Sequence, residues 1–395
     1  MNKKNIAFLI ENYLAGGCDS IARDLIDNLD YHRLYLYVNK GSDLKILLRN
    51  KLPNNVELIE YNIISIPKLG MFANNFKEKN KIVYGLLKFF NLMIRYPILV
   101  LYIIYFFLLF RKVNIDVFFS NNGGYPGGEC NRMASIAFSF LRGRNYHIVH
   151  NLATKPFFKL FTPIEYFIDY ILDKVSVFVC VSNQTKEYLL QNRYIKSSPI
   201  VIYNGVESNI KVVKKIKSST IRLLNIGLLG KRKNQLLLVE ALDRLKLKGY
   251  KNIELHLLGD EEDIGYIKML KEKISRYNLD NIYFQGFCDP YEYYNKCDIF
   301  ILSSVVESFA LVRVEAMSVG MPVITTDVGD AYMQIENNYN GYIVNSLDEM
   351  VIAIERYINN TQLIEEHAHN GKIIYNNKFT KDKMIEQYQR LIDED

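Results

Sequence analysis

ESFALVRVEAMSVGMPVITTD, Glu307 to Asp327, is the stretch on which the fold turns. The apolar run Ile299–Leu302 before it reads as a short strand ending near Ser303, and Pro322–Thr326 reads as another. Between them the pattern predicts a helix from near Ala310 to Val319, stopped by Gly320 with Pro322 just beyond. Glu307 then occupies a loop at the carboxyl edge of a sheet, where open α/β sheets bind ligands. The free N–H groups at Phe309, Ala310 and Leu311 make an anion site, and Glu315 follows one turn into the same helix. Two carboxylates framing one phosphate-binding helix start can hold sugar hydroxyls and ribose hydroxyls on either side of a nucleotide diphosphate. A surface acid plus a solvated helix acid would account for either glutamate alone, but not for the pair together with the Phe-Ala turn and the Gly-x-Pro ending.

The same alternation of short β-rich runs and longer amphipathic ones extends outward through the chain, the pattern of parallel sheets covered by helices. In the first half the strands are predicted at Ile6–Ile10, Leu34–Val38, Val56–Glu60, Asp116–Phe119, Tyr146–His150, Val175–Val181 and Pro199–Tyr203. The second series is Ile221–Ile226, Ile253–Leu258, Ile282–Phe284, Ile299–Leu302, Pro322–Thr326 and Tyr342–Val344. Two series predict two doubly wound domains, as the 395-residue length also suggests. The boundary falls at the turn Asn204-Gly205, giving residues 1–204 and 205–377. A final helix, capped by Thr380 and running to about Ile392, is assigned with 378–395 to the first domain.

Composition narrows the class. Forty-nine per cent apolar and 23% charged residues suit a globular enzyme rather than a disordered chain. The five cysteines (Cys18, Cys130, Cys180, Cys288, Cys297) show no C-x-x-C pairing, which points to a reducing compartment, and Cys180 reads as a small buried hydrophobe. The N-terminal run Ile6–Ile10 is too short for a signal peptide. Up to Asn204 there are 25 Lys and Arg against 15 Asp and Glu, while the remainder carries 24 against 28. A basic half suggests an anionic partner such as a phosphate-bearing lipid or a membrane surface. Nucleic acid is disfavoured because no binding motif accompanies the charge.

The segment Lys81–Phe110 breaks the pattern, and within it Pro97–Phe110 (PILVLYIIYFFLLF) has Tyr as its only polar residue type. The 14 residues of this run fall short of the roughly 20 that span a bilayer. Two readings stay open. One is a helix buried in the first domain; the other is a segment at a membrane surface, with Lys88, Arg95, Arg111 and Lys112 near headgroups and Tyr102, Ile103, Phe106 and Phe107 in contact with lipid.

Glu307 and Glu315, separated by seven residues and set among Phe309, Leu311, Ala316, Gly320, Pro322 and Asp327, resemble the signature of glycosyltransferase family 4. The resemblance implies the GT-B fold: two facing Rossmann-like domains with parallel sheets and a C-terminal helix crossing back to the first. It implies that Glu307 contacts the donor sugar, that Glu315 holds the ribose, and that anomeric configuration is retained without an obligatory metal. In NIGLLGKRKNQLLLVEAL, from Asn225, Lys233 matches the family's diphosphate-clamping lysine. Leu228 stands where the family carries an arginine, and Lys231 or Arg232 is the candidate substitute. In YLAGGCDSIARDLIDNL (Tyr13–Leu29) the pair Gly16 and Gly17 matches the glycines beside the donor phosphate, with Asp19 in place of a frequent Glu. The resemblance also implies that His150 faces the transferred sugar across the cleft, and Asn121–Gly128 is expected to shape the acceptor side. GFCDPYEYYNKCDIFILSS (Gly286–Ser304) and NNYNGYIV (Asn337–Val344) follow the family as well, whereas Asp330 replaces a usual Gly and Met333 a usual Glu.

The expected catalytic residues are thus Glu307, Lys233 and His150. Donor binding is expected from Glu315, Gly16, Gly17, Ser308, Phe309, Ala310, Leu311, Lys231, Arg232 and Gly259. No metal site is expected, since neither an HExxH-type pair nor a D-x-D dipeptide occurs, and no cofactor beyond the nucleotide-sugar substrate. The implied activity is a retaining hexosyltransferase that uses a nucleotide-sugar, by preference a UDP-sugar. Its acceptor would be a saccharide, lipid-linked by preference, in bacterial surface polysaccharide or glycan assembly. The expected location is the cytoplasm, peripheral on the inner face of the cytoplasmic membrane. Two other readings are a degenerate GT-B subunit supporting a partner transferase, which Leu228 and Met333 favour slightly, and a nucleotide-sugar epimerase of the same fold. A dinucleotide dehydrogenase is disfavoured because no G-x-G-x-x-G follows a strand.

Overall fold

The computed structural model describes residues 3–11, 16–63, 66–207 and 219–394. The chain forms two compact units, Met1–Ile202 with Ile385–Asp395, and Tyr203–Met384.

The first unit is built on seven parallel strands, β1 (Asn5–Ile10), β2 (Arg33–Asn39), β3 (Val56–Tyr61), β4 (Val117–Asn122), β5 (Arg144–Val149), β6 (Val177–Cys180) and β7 (Ile200–Val201). Their order is β3-β2-β1-β4-β5-β6-β7, so the winding reverses between β1 and β4. The central strand β4 is buried along its whole length and β1 nearly so, as expected of strands covered by helices on both faces. Edge strand β3 is mostly exposed or half-buried. The connecting helices are α1 (Gly17–Asn28), α2 (Ile66–Asn74), α3 (Lys81–Phe110), α4 (Glu129–Phe138), α5 (Thr162–Val175) and α6 (Asn183–Asn192). β6 is shorter than the apolar run suggests because Val175 ends α5, and His150 lies just past β5.

Helix α3 corrects the sequence reading. It is 30 residues long, begins at Lys81 under an Asn80 cap, and continues through Pro97. One side of it is buried in the core and the other is exposed. Leu99, Tyr102, Phe106 and Phe110 are buried in the core, where Phe110 meets Phe118 at a ring distance of 5.1 Å. Tyr102 and Phe106 are therefore not the lipid-facing residues expected, and Ile103 and Phe107 are partly buried against the same core. Arg95 is no headgroup ligand either: its guanidinium donates to the Glu129 carboxylate at 2.7 Å. Arg111 and Lys112 are exposed.

The second unit has six parallel strands, β8 (Ile221–Ile226), β9 (Ile253–Leu258), β10 (Ile282–Gly286), β11 (Ile299–Leu302), β12 (Val323–Thr326) and β13 (Gly341–Val344). Their order, β10-β9-β8-β11-β12-β13, reverses between β8 and β11. Its helices are α7 (Gln235–Leu247), α8 (Ile264–Arg276), α9 (Pro290–Lys296), α10 (Leu311–Ser318), α11 (Ala331–Gln334), α12 (Leu347–Asn359) and α13 (Gln362–Lys378). Gly205 is required here, because a Cβ on it would lie 2.3 Å from the Thr380 carbonyl oxygen. That approach lets Val206 N–H donate to the Phe379 carbonyl and Lys381 N–H to the Val206 carbonyl.

α14 (Lys381–Asp393) closes the chain. Its end joins the first unit through Leu391, whose carbonyl accepts from the Arg144 guanidinium at 2.9 Å and from the Tyr146 hydroxyl at 3.0 Å.

Candidate active site

The reversal between β8 and β11 builds the site of the second unit. Loops leaving two adjacent strand ends there diverge and open a crevice between them. The loop after β8 runs through Gly227 to Asn234 and carries Lys231, Arg232 and Lys233. The loop after β11 carries Ser303, Ser304 and Glu307 before α10. Two bonds tie them together: Val305 N–H donates to the Arg232 carbonyl at 2.8 Å, and the Ser303 hydroxyl donates to the Lys233 carbonyl at 2.8 Å.

Glu307 is the centre of this arrangement and is nearly buried. Its Oε1 accepts from Lys233 Nζ at 2.6 Å and from the Ser304 hydroxyl at 2.7 Å, and its Oε2 accepts from Arg232 at 3.3 Å. Burial alone would raise its pKa, but the Lys233 charge and hydrogen bond, with Ser304 and Arg232, outweigh it and hold the carboxyl below the ordinary range. Glu307 is ionised at neutral pH. Two glycines make the fit possible. Gly227 (φ +151) leaves room for Lys233, whose Cε would come 3.0 Å from a Cβ there, and Gly329 (φ +59) sits as close to the Glu307 Cβ.

The helix side follows. α10 starts at Leu311, after Ala310 in the left-handed region (φ 59) with no capping side chain. The first amides of a helix have no intrahelical partner, so those of Ala310 and Leu311 are donors for an anion, while Phe309 lies before the cap. Ala310 takes this conformation at a cost of about 1–2 kcal/mol relative to a right-handed one. The Phe309 ring turns away from solvent, 3% exposed, onto Tyr203 and Phe379. Ser308 is half-buried in the same loop. Glu315 accepts from the hydroxyl of buried Tyr294 at 2.9 Å. Burial raises the Glu315 pKa, and the Tyr294 hydrogen bond offsets this only in part. One acid is stabilised as an anion and the other is not.

Of the two candidate substitutes for the arginine expected at Leu228, only one reaches Glu307. Arg232 reaches Glu307, whereas Lys231 is exposed and pairs loosely with Asp263 at 3.6 Å. Gly259 (φ +136) lies where two strand ends cross; a Cβ on it would fall 2.2 Å from the Gly227 carbonyl oxygen. Asp330, where the resemblance expects glycine, also has a positive φ of 53.

Several contributors were not foreseen. Arg313 is fully buried and donates to the carbonyls of Phe309, Val328 and Gly329, to Thr325 Oγ1 and to Gln334 Oε1. It braces both backbone segments that flank Glu307, and burial lowers its pKa to about 10. Tyr294, Ser304 and Gln334, which donates to the Phe309 carbonyl, were missed as well. The available cue was an arginine between Val312 and Val314 in an otherwise apolar helix.

In the first unit, His150 and Asn121 lie at the carboxyl end of β5 and β4. His150 Nε2 donates to Asn121 Oδ1 at 2.7 Å, and burial lowers its pKa to about 4, so it is neutral at pH 7. Asn122 fixes the loop after β4 by donating to the Gly127 carbonyl and accepting from Gly124 N–H. Gly17 opens α1, and residues 12–15 of that glycine loop lie outside the described residues. Gly16 N–H donates to the Asp19 carboxylate at 2.8 Å in a capping box. Among the described residues no group of three His, Cys, Asp or Glu could hold a metal ion.

Residues 206–376 match the family model for glycosyl transferases group 1. The capsular polysaccharide biosynthesis glycosyltransferase CapM of Staphylococcus aureus is 27% identical over 248 residues, 58% of this chain and 65% of CapM. The match thus spans slightly less than two thirds of that relative. A second relative, the N-acetylgalactosamine-N,N'-diacetylbacillosaminyl-diphospho-undecaprenol 4-alpha-N-acetylgalactosaminyltransferase of Campylobacter jejuni, is 30% identical over 173 residues, 41% of this chain and 44% of its own length. Among solved structures, Anabaena HepE in complex with UDP and glucose superposes with a TM-score of 0.73, at 19% identity, over 99% of this chain and 100% of HepE. That likeness shows the fold, which is GT-B.

Proposed function

We propose that this chain, whose residues 206–376 match the family model for glycosyl transferases group 1, transfers a hexosyl group from a UDP-sugar to a lipid-linked saccharide with retention of configuration. The observation that carries the reading is the Lys233–Glu307–Arg232 cluster beside the start of α10. In transfer the bond from the sugar C1 to the diphosphate breaks and a bond from C1 to the acceptor hydroxyl forms. Negative charge grows on the departing diphosphate, which Lys233, Arg232 and the α10 amides are placed to take up. Glu307, relieved of part of its ion pairing, accepts hydroxyls of the donor sugar, and Glu315 accepts those of the ribose. No step requires a metal.

The UDP preference is supported by HepE, which holds UDP and glucose in a fold like this one. A lipid diphosphate acceptor is supported by the Campylobacter relative, whose name gives a diphospho-undecaprenol substrate, and by the basic first half of the chain. CapM supports a place in polysaccharide assembly. Such an acceptor puts the protein on the inner face of the cytoplasmic membrane.

The test is turnover of a panel of UDP- and GDP-sugars, with and without an undecaprenyl-diphosphate saccharide, with chelator present, and with the product anomer assigned by NMR. We expect one UDP-sugar to be consumed and its configuration kept. No turnover of any nucleotide-sugar, an inverted product or an absolute need for a divalent ion would refute the corresponding part of the reading.

A further inference from the structure

We propose that the outward face of α3 is a docking surface for an anionic lipid bilayer, on which the helix lies flat. This deepens the lipid-linked acceptor reading above, on which it rests, by naming the surface that meets the lipid.

The helix has two opposed apolar faces. Leu99, Tyr102, Phe106 and Phe110 recur at steps of three and four and fill the core. On the opposite side Leu86, Phe90 and Met93, then Leu101, Ile104 and Leu108, recur at the same steps and are exposed, Leu101 by 62%. In the 18-residue window that is long and apolar enough to cross a membrane, only 17% of the residues are buried. The exposed stripe extends from Ile82 to Leu108, about 39 Å at 1.5 Å per residue. A contiguous patch of this size marks an interaction site rather than ordinary surface.

Charge identifies the partner. From Lys79 to Ile115 the sequence holds six Lys and Arg and no Asp or Glu. Lys79 and Lys81 are exposed at one end of the helix, and Arg111 and Lys112 at the other. Lysines at a helix N-terminus oppose the helix dipole, so their placement does not serve the helix itself. Basic residues at both ends of an apolar stripe match an anionic membrane interface, where ammonium and guanidinium groups meet phosphates while the stripe enters the acyl boundary. The surface continues onto residues 155–167, which lead into α5 and which Tyr96 joins to α3 by packing on Phe161 at 4.9 Å. There Leu160 and Phe167 are exposed, as are Lys155 and Lys159. Crossing the bilayer is disfavoured, because it would pull Tyr102, Phe106 and Phe110 out of the core.

The experiment is flotation of the full chain with vesicles of phosphatidylcholine alone, or of phosphatidylcholine and phosphatidylglycerol in equal parts, at low and high salt. We expect binding to the anionic vesicles that weakens with salt. Neutralising Arg111 and Lys112 together should weaken it about tenfold or more. Leu101→Glu with Ile104→Glu should abolish it with the melting temperature retained, and Ile264→Glu, an exposed residue of the second unit, should change nothing. Should the double variant not fold, Leu86→Ser with Met93→Ser tests the same face. Wild-type protein that stays unbound at low salt overturns the proposal, as does binding indifferent to these changes. Sedimentation showing a dimer that the Leu101→Glu and Ile104→Glu changes dissociate would assign the face to a second copy and overturn it too. The assay contains neither donor nor acceptor, so its failure is separable from a failure of sugar transfer.

Discussion

Lys233 and Glu307, 74 positions apart in sequence, meet in an ion pair of 2.6 Å whose carboxylate is 9% exposed. Both groups are withdrawn from water, and neither charge is stable there without the other. The pair is therefore a structural bond in the free protein.

Removing the lysine should expose that dependence. In the native protein the lowered Glu307 pKa adds stability that is present above the unfolded carboxyl value of about 4.3 and is lost as pH falls through the folded value. In Lys233→Met burial dominates, the carboxyl pKa rises, and stability should instead fall as pH climbs above that unfolded value. The expected loss near neutrality is up to about 3–5 kcal/mol. Urea unfolding across this range measures it, and parallel pH profiles would contradict the argument. Glu307→Gln should lower turnover about 100-fold or more while nucleotide binding changes little.

Arg232 and Lys231 are neighbours with different expected effects. Arg232→Ala should weaken donor binding by about 1.5–3 kcal/mol, the range for a hydrogen bond to a charged group. Lys231→Ala, exposed beside Asp263, should leave it within about 0.5 kcal/mol. Calorimetric titration with UDP compares them, and equal losses would show that the geometry around Glu307 does not govern donor binding.

Glu315 carries the opposite pKa shift. A raised folded value means that its ionisation opposes folding increasingly as pH rises above the unfolded carboxyl value. Glu315→Gln should therefore raise the melting temperature at pH 7–8 and yet weaken donor binding by roughly 1–3 kcal/mol. Tyr294→Phe should push the Glu315 pKa higher still. Loss of stability in Glu315→Gln at neutral pH would contradict this reading.

Arg313 donates to three backbone carbonyls on two separate segments. Arg313→Met removes a buried donor from each of them, although the Phe309 carbonyl keeps its bond from Gln334, and should cost about 1–3 kcal/mol or more in all. Arg313→Lys should rescue little, since a single ammonium lacks the planar fork. Denaturant unfolding of the intact chain reports the loss. A variant as stable as the wild type would show that the loops around Glu307 need no such brace.

The thirteen strands were legible from apolar runs and turn residues, as was the last helix under Thr380. The segment Lys81–Phe110 was legible as a break in the pattern, but not as one continuous helix, because Pro97 interrupts it and the helix signal of Lys81–Tyr96 is diffuse. Arg313 was not legible either. A charged residue in a helix is normally solvated, and its burial is tolerated here only because five acceptors from separate segments converge on it.

What the sequence determined by itself is what short-range order fixes: periodicity, caps, glycine turns and the spacing of Glu307 and Glu315 on one loop and helix. What the tertiary structure alone decided is which of two equivalent-looking cations faces Glu307. Lys231 and Arg232 are adjacent cations, yet only one turns to Glu307. α3 is apolar all around, so no periodicity distinguishes Tyr102 in the core from Leu101 in solvent. Both choices depend on what packs alongside, from segments tens of residues away, and that is information a local pattern does not contain.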